Sequence, residues 1–276
     1  ISELSDYRKL SVYSKTQLVD PQGKKEKQPL DALSYLFRFL DAYDFAGDTE
    51  ESIQEDNKTL INASVLGLIF EKINGYKEGS FFTPGFITMY MCRETVRKAV
   101  LQKFNAQYEL ALTDMDELKS YCFHYYKKED KLAFNRLINE LKIADPAVGS
   151  GHFLVSALNE LLAVKSELGI LVDEAGLPLK VGIQVVNDEL VITDEEGDLF
   201  EYQPQKRESS RIQKSIFHEK QSIIENSLFG VDINPNSVKI CRLRLWIELL
   251  KHAYYKPADT EEKYPHLETL PNIDIN

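Results

Sequence analysis

Apolar residues recur at helical spacing through the first half of the chain and alternate with polar ones only beyond residue 180. That change of period separates a helical part from a mixed part. Leu33, Leu36, Phe37 and Leu40 predict a helix within residues 30–45. Leu60, Ile61, Val65, Leu66, Ile69, Phe70 and Ile73 predict an amphipathic helix over 59–76, with Asn74 and Gly75 as its C-cap. A third helix should open at Thr83 as hydroxyl N-cap, with Pro84 in its first turn. It carries Phe86, Ile87, Tyr90 and Met91 and runs to about residue 104. Residues 115–126 and 130–141 read as two more helices.

Beyond them the pattern mixes. A short apolar run at 141–144 leads into a glycine-rich turn, then a helix marked by Leu154, Val155, Leu158, Leu161 and Leu162. Residues 181–186, 189–193 and 199–202 read as three short strands, with turns at 187–188 and 194–197. A helix over 209–227 precedes a buried strand at 228–233. Asn234 then fits an N-cap and Pro235 a first helical position, with Leu243, Leu245, Trp246 and Leu249 expected under the sheet. The predicted organisation is a linker or arm over 1–28, a helical subdomain over 29–140 and an α/β domain over 141–276. A β-hairpin insertion at about 178–204 helps to fill the roughly 80 residues between Ile143 and Leu228, too many for a bare crossover.

The 276 residues are 43% hydrophobic, enough for a folded core. No apolar run of roughly 18 residues occurs, so no membrane span is expected. The opening residues lack the regions of a secretory signal, and Cys92, Cys122 and Cys241 are unclustered. Reduced thiols in a cytoplasmic protein are the expectation. A net charge of -11 opposes a broad DNA-binding surface. Acids dominate residues 173–201; Lys206, Arg207, Arg211, Lys214 and Lys220 then follow in a basic helical pattern that reads as a solvated face. None of the five histidines stands at metal-ligand spacing. The words H-E-x-x-H, G-x-S-x-G and G-x-x-x-x-G-K-[ST] are absent, which removes the usual support for hydrolase and P-loop chemistry.

Residues 145–153, D-P-A-V-G-S-G-H-F, carry the strongest chemical signal. Strand, glycine turn and helix follow one another, with a carboxylate, Asp145, at the end of the strand. A ligand can approach bare backbone at Gly149 and Gly151, as in nucleotide-binding turns. The dinucleotide word G-x-G-x-x-G fails, because Leu154 stands where the third glycine belongs. Asp145 instead suits a cationic amino-acid moiety, which points to S-adenosylmethionine. Asp232 ends the later strand, where an acid accepts hydrogen bonds from ribose hydroxyls.

These words resemble a known family, the adenine-N6 DNA methyltransferases. Residues 145–153 look like its motif I, D-P-A-C-G-S-G-x-F, with Val148 in place of the usual cysteine. Residues 230–235, G-V-D-I-N-P, are similar to motif II, and residues 78–84, E-G-S-F-F-T-P, to motif X. The order X, I, II matches the gamma arrangement. The resemblance implies a partial Rossmann-like methyltransferase core with S-adenosylmethionine as cofactor. It implies cofactor contacts from Phe82, Thr83, Pro84, Asp145, Pro146, Ala147, Gly149, Gly151, Phe153, Asp232 and Ile233. Asp232 would hold the ribose, and Ile233 would lie against the adenine. Residues 66–84 are also similar to large type IIG restriction–modification proteins, in which a nuclease precedes the methyltransferase.

Family members place a [DNS]-P-P-[YFW] tetrapeptide against the flipped target base. No two of the ten prolines here are adjacent. The expectation is therefore a piece of a longer polypeptide, holding the cofactor half with no catalytic residue and no metal. Double-stranded DNA would be engaged through the full-length protein, and only weakly by this piece. Two other readings stay open: a methyltransferase acting on RNA, protein or a small molecule, and a cofactor-binding regulatory module of a phage-defence assembly.

Overall fold

A computed structural model describes residues 9–12, 17–20, 22–44, 59–60, 83–256, 266–267, 273 and 275. The chain divides into two compact units, Ile1–Ser80 and Phe81–Asn276.

In the first unit, antiparallel bridges join Leu10 to Leu30 and Val19 to Lys25. Asp20 closes the inner turn, its Oδ1 accepting from Gln22 N at 2.9 Å and Lys24 N at 2.8 Å. Asp31 Oδ1 accepts from Ser34 N at 2.9 Å at the start of helix α1 (Ala32–Ala42). Arg38 of α1 reaches back to pair with the buried Glu26. Strand β1 (Tyr43–Asp44) runs parallel to β2 (Thr59–Leu60). The helix predicted from residue 59 therefore does not begin there, because the backbone of Thr59 and Leu60 is extended in register with β1. The rest of that predicted helix, 61–76, lies outside the described residues.

The second unit is mixed α/β. Helices α2 (Gly85–Tyr108), α3 (Met115–His124) and α4 (Lys128–Asn139) come first. Strand β3 (Ile143–Asp145) and helix α5 (His152–Glu167) follow, then the hairpin β4 (Gly182–Val186) and β5 (Glu189–Thr193). Next come α6 (Arg207–Asn226), β6 (Leu228–Gly230) and α7 (Pro235–Leu250). A short antiparallel pair follows them, β7 (Tyr255–Lys256) and β8 (His266–Leu267). Strands β3 and β6 are parallel neighbours, with Ile143 opposite Leu228 and Asp145 opposite Gly230. Parallel neighbours need a long crossover, which α5, the hairpin and α6 supply.

Helix α5 is the axis of the core. Every residue from Leu154 to Lys165 is buried, and the helix packs against α2, β4, α6, α7 and the β3–β6 pair. A helix apolar on most sides has no face to give to water.

Four expectations need correction. Helix α2 forms, but Pro84 is its N-cap (φ -55, ψ 141) and Thr83 lies outside it. Its buried face is Thr88, Cys92, Val96, Val100 and Phe104, while Phe86 and Tyr90 are 70% and 67% exposed. The third insertion strand does not form; Leu199 makes a single bridge to Thr193. The Ser209 hydroxyl then donates to Glu201 O and its oxygen accepts from Gln203 N, at 3.3 and 2.8 Å, which turns the chain into α6. Leu243 faces outward, although Leu245 and Leu249 are buried as expected. Last, the basic pattern is a solvated face only in part: Lys206 and Arg207 are exposed, but the other three cations are taken by acids. Arg211 pairs with Asp173 and Glu208, Lys214 with Glu174, and the fully buried Lys220 with Glu248.

A second buried pair joins Lys165 of α5 to Glu219 of α6. Burial acts to raise the Glu219 carboxyl, but Lys165 and the amides of Asn135 and Asn139 outweigh it and hold it below the usual range. Removing one partner strands the other charge. Lys165→Met should cost about 3–5 kcal/mol. Lys165→Met with Glu219→Gln should recover part of that loss, since the amide can still accept from the asparagines without a charge. Urea midpoints at fixed m-value measure both.

Candidate cofactor site

The turn between β3 and α5 is tied to the end of β6. Val231 N donates to Asp145 O at 3.0 Å, and Val148 N donates to Val231 O at 2.9 Å, carrying the pairing past the strands themselves. Gly149 and Gly151 have φ of 53° and 85°, in the region that favours glycine. Gly151 is the N-cap of α5 and provides no side-chain cap, so the first N–H groups of that helix face the turn without one. A Cβ on Gly151 would stand 2.7 Å from Cys241 Sγ of α7, so the glycine also lets α7 pack closely.

Asp145 and Asp232 both border this turn. Asp145 Oδ1 accepts from Ala147 N at 3.0 Å. Asp232 Oδ2 accepts from Gly149 N at 2.8 Å and its Oδ1 from Asn234 N at 2.8 Å. Ala147 N and Gly149 N are two residues apart, at most about 7 Å of chain. Asn234 caps α7 as its residue type predicts, accepting from Asn236 N at 2.9 Å, with Pro235 opening the helix. Pro146 and Ala147 are exposed, Phe153 packs half-buried against the core, and Ile233 is 100% exposed beside Asp232. Thr83 and Pro84 lie just ahead of α2. Phe82 falls outside the described residues. Ser150 Oγ, buried in the turn, has no hydrogen-bond partner among the described residues.

A second polar group, not foreseen from the sequence, adjoins α5. Asp188 sits in the hairpin turn with φ of 67°, next to Asn187 at 50°, the paired left-handed geometry of a tight hairpin. Ser156 Oγ donates to Asp188 Oδ1 at 2.6 Å and lies 3.1 Å from Thr88 Oγ1 of α2. Asn159 Nδ2 donates to Asp188 O at 2.8 Å. Burial pushes the Asp188 carboxyl up to about 6, against the hydrogen bond from Ser156 and the charge of Arg244. Burial, then Arg244, pushes His152 down to about 4, so the ring is neutral near pH 7. The Cys92 thiol is raised to about 12 by burial and by Asp188, Glu160 and Asp145, and it donates to Phe153 O at 3.5 Å. Two polar residues three apart, Ser156 and Asn159, within the apolar stretch of α5 were the sequence signal for this contact. Among the described residues, no metal-ligating cluster occurs and no helix is long and apolar enough to cross a membrane.

Residues 1–61 match a family described as a domain of unknown function (DUF7814). The chain is also 28% identical, over 267 residues and 89% of its length, to a protein of Methanocaldococcus jannaschii provisionally named a type II restriction enzyme and methyltransferase. It spans 18% of that relative's length. No solved structure matches.

Two outcomes follow from this geometry. Gly151→Ala meets both a left-handed backbone and the Cys241 sulfur, whereas Gly197→Ala (φ 90°) meets open space. Gly151→Ala should therefore cost more, by about 1–3 kcal/mol of overpacking, in urea unfolding. Asp188 supplies the second. Its carboxyl is raised on folding, so the folded state binds more protons than the unfolded state between pH of about 4 and 6. Its contribution to stability is intact below that window and falls by at most about 3 kcal/mol as pH rises through it. The stability difference between Asp188→Asn and the native chain should grow in the variant's favour across that window.

Proposed function

We propose that this chain carries the S-adenosylmethionine-binding part of a site-specific DNA (adenine-N6) methyltransferase of a restriction–modification system. The carrying observation is that Asp145, the Gly149 N–H and Asp232 come together on one turn, Gly149 and Asp232 being 83 residues apart in sequence. The likeness to a protein whose name joins restriction and methyl transfer supports the reaction class. The parallel β3–β6 pair fits a Rossmann-like core, in which ligands lie across the carboxyl ends of the strands.

The donor set fits the cofactor. Each oxygen of Asp232 accepts one backbone N–H and keeps lone-pair capacity for a ribose hydroxyl. Asp145 uses Oδ1 on Ala147 and can turn Oδ2 to an ammonium. Ile233 offers an exposed apolar surface to a purine. Ser150 Oγ offers a hydroxyl that no described residue uses. Gly149 and Gly151 keep the approach to backbone open, Pro146 and Ala147 shape the turn, and Phe153 seats α5. Phe82, Thr83 and Pro84 would close the methionine end.

When bound, S-adenosylmethionine supplies an electrophilic methyl group on a sulfonium. This chain's residues orient that group by fixing the ligand at its ammonium and at its ribose, and positioning of this kind lowers the entropic barrier to transfer. Acceptance of the target amine and recognition of DNA would belong to the rest of the longer protein.

Calorimetric titration of the full-length protein with S-adenosylmethionine tests the assignment. Asp232→Ala should raise Kd about tenfold or more, since it removes charge-assisted bonds of about 1.5–3 kcal/mol. Gly149→Val should be worse, because a branched side chain cannot easily adopt φ of 53°. A Kd unchanged within twofold in Asp232→Ala would sink the ribose assignment. With no adjacent prolines in its sequence, this chain alone should transfer no labelled methyl to mixed-sequence DNA.

A further inference from the structure

The second unit holds a cleft of about 810 Å³ that the preceding assignment does not use. Its floor is α5, at Ser156, Glu160, Ala163 and Ser166. One wall is the outer face of α2, the other is β4 over residues 182–185 with Val181 before it, and Lys119 and Phe123 of α3 contribute to the lining. The α2 wall is unusual for a water-facing surface. Phe86, Tyr90, Arg93 and Arg97 follow one another at three- and four-residue steps, so they share one face of the helix. Phe86, Tyr90 and Phe123 are 70%, 67% and 58% exposed. Lys119 and Phe123 repeat the cation–aromatic pairing on α3 at a four-residue step.

The charges inside the cleft are not all spent. Arg97 Nε donates to Glu160 at 2.7 Å, and its Nη2 lies 2.7 Å from Glu167. That leaves Arg93 and Lys119 exposed and without an ion-pair partner among the described residues. Three cations against two carboxylates give the lining one net positive charge, on a chain whose total is -11. The β4 wall adds hydrogen-bonding groups. With the tight turn at Asn187–Asp188, residues 182, 184 and 186 pair inward with β5, so the N–H and C=O of Ile183 and Val185 point away from β5. Ile183 N is taken by Ser166 Oγ at 3.1 Å; the Val185 groups are free to meet a ligand edge.

Exposed ring faces, unpartnered cations beside them and a backbone edge opposite suit a ligand that is flat, anionic and polar at its rim. We propose that this cleft binds an unpaired nucleotide of a nucleic-acid strand, the base stacked on Tyr90 and the phosphates beside Arg93 and Lys119. Ring stacking serves any base, and a duplex keeps its bases paired and out of reach, so the cleft selects single-stranded over duplex DNA. The cleft's volume is within the range of small-ligand sites. An extended polypeptide could use the same β4 edge, but it would not need the rings and cations together.

Anisotropy titrations of this chain with a labelled single-stranded DNA 12-mer, and with the same strand in duplex, test the proposal. They contain no S-adenosylmethionine, so their outcome is independent of the assignment at Asp145 and Asp232. The single strand should bind more tightly than the duplex. Tyr90→Ala should weaken single-strand binding about tenfold, in line with the loss of one stacked base. Arg93→Ala and Lys119→Ala should each lower the salt dependence by about one phosphate contact, and Lys239→Ala, an exposed cation outside the cleft, should leave it unchanged. All four side chains are exposed, and equal urea midpoints check that the fold is kept. Preference for duplex, equal binding by Tyr90→Ala and the native chain, or no binding at low salt would each overturn the proposal. Binding of a labelled unstructured peptide at concentrations where the single strand does not bind would overturn it in favour of strand addition along β4.

Discussion

Helix α5 carries Ser156, Asn159, Glu160 and Lys165 into a core that offers them almost no water. An unpaired buried polar group costs about 1–3 kcal/mol and a stranded charge more. Each of these residues is therefore met by a neighbour, although Asn159 Oδ1 has no partner among the described residues, and the neighbours come from different elements. Thr88 on α2 and Asp188 in the hairpin turn meet Ser156. Asp188 also meets Asn159 through its carbonyl, Arg97 on α2 meets Glu160, and Glu219 on α6 meets Lys165. Apolar packing alone would let these elements slide along α5. The polar residues fix where each must sit.

That constraint reaches the candidate site directly. The glycine turn is the N-terminus of α5, and the β3–β6 register sets Asp145 against Gly230, two residues before Asp232. Helix α2, which follows Thr83 and Pro84, is anchored to the same end of α5 by Thr88 on Ser156 and by Cys92 on Phe153 O. The hairpin insertion thus has a structural part to play. Through Asp188 it closes the chain Thr88–Ser156–Asp188, bracing α2 and α5 together where the proposed ligand would bridge them.

The sequence was most legible where a feature is local to the chain. The meeting of Asp145, Gly149 and Asp232 at one turn could be anticipated because a glycine turn after a strand and an acid ending another have few alternative uses. The caps and hairpin at Asn234, Asn187 and Asp188 were legible for the same reason. It was least legible where a partner is distant. Lys220 looked like one member of a solvated basic face because Glu248, 28 residues on, cannot be assigned to it by spacing. Periodicity reports a stripe and not its direction, so the apolar marks of α2, Phe86, Ile87, Tyr90 and Met91, did not say that this stripe would be the outer one. Its inner face is small and partly polar, Thr88 and Cys92, to fit against a close helix, while the larger Phe86 and Tyr90 are left outside.

That outer face bears on how an acidic chain could hold an anionic ligand. With a net charge of -11 the long-range field repels phosphate, and at physiological ionic strength it is screened beyond about 8 Å. Affinity is then decided within a few ångströms, by which cations remain unspent. Arg211, Lys214 and Lys220 of α6 are consumed by Asp173, Glu208, Glu174 and Glu248, and Lys165 by Glu219. Of that basic stretch, Lys206 and Arg207 stay exposed with no ion pair among the described residues, and the rest is electrostatically silent in the fold. Arg93 and Lys119 are single cations in unremarkable sequence, yet they stand beside exposed rings with no carboxylate in ion-pair contact among the described residues, Arg93 acting on Glu160 only through its wider field. What selects a strand on such a surface is the local coincidence of ring and charge, which neither net charge nor charge runs along the sequence report.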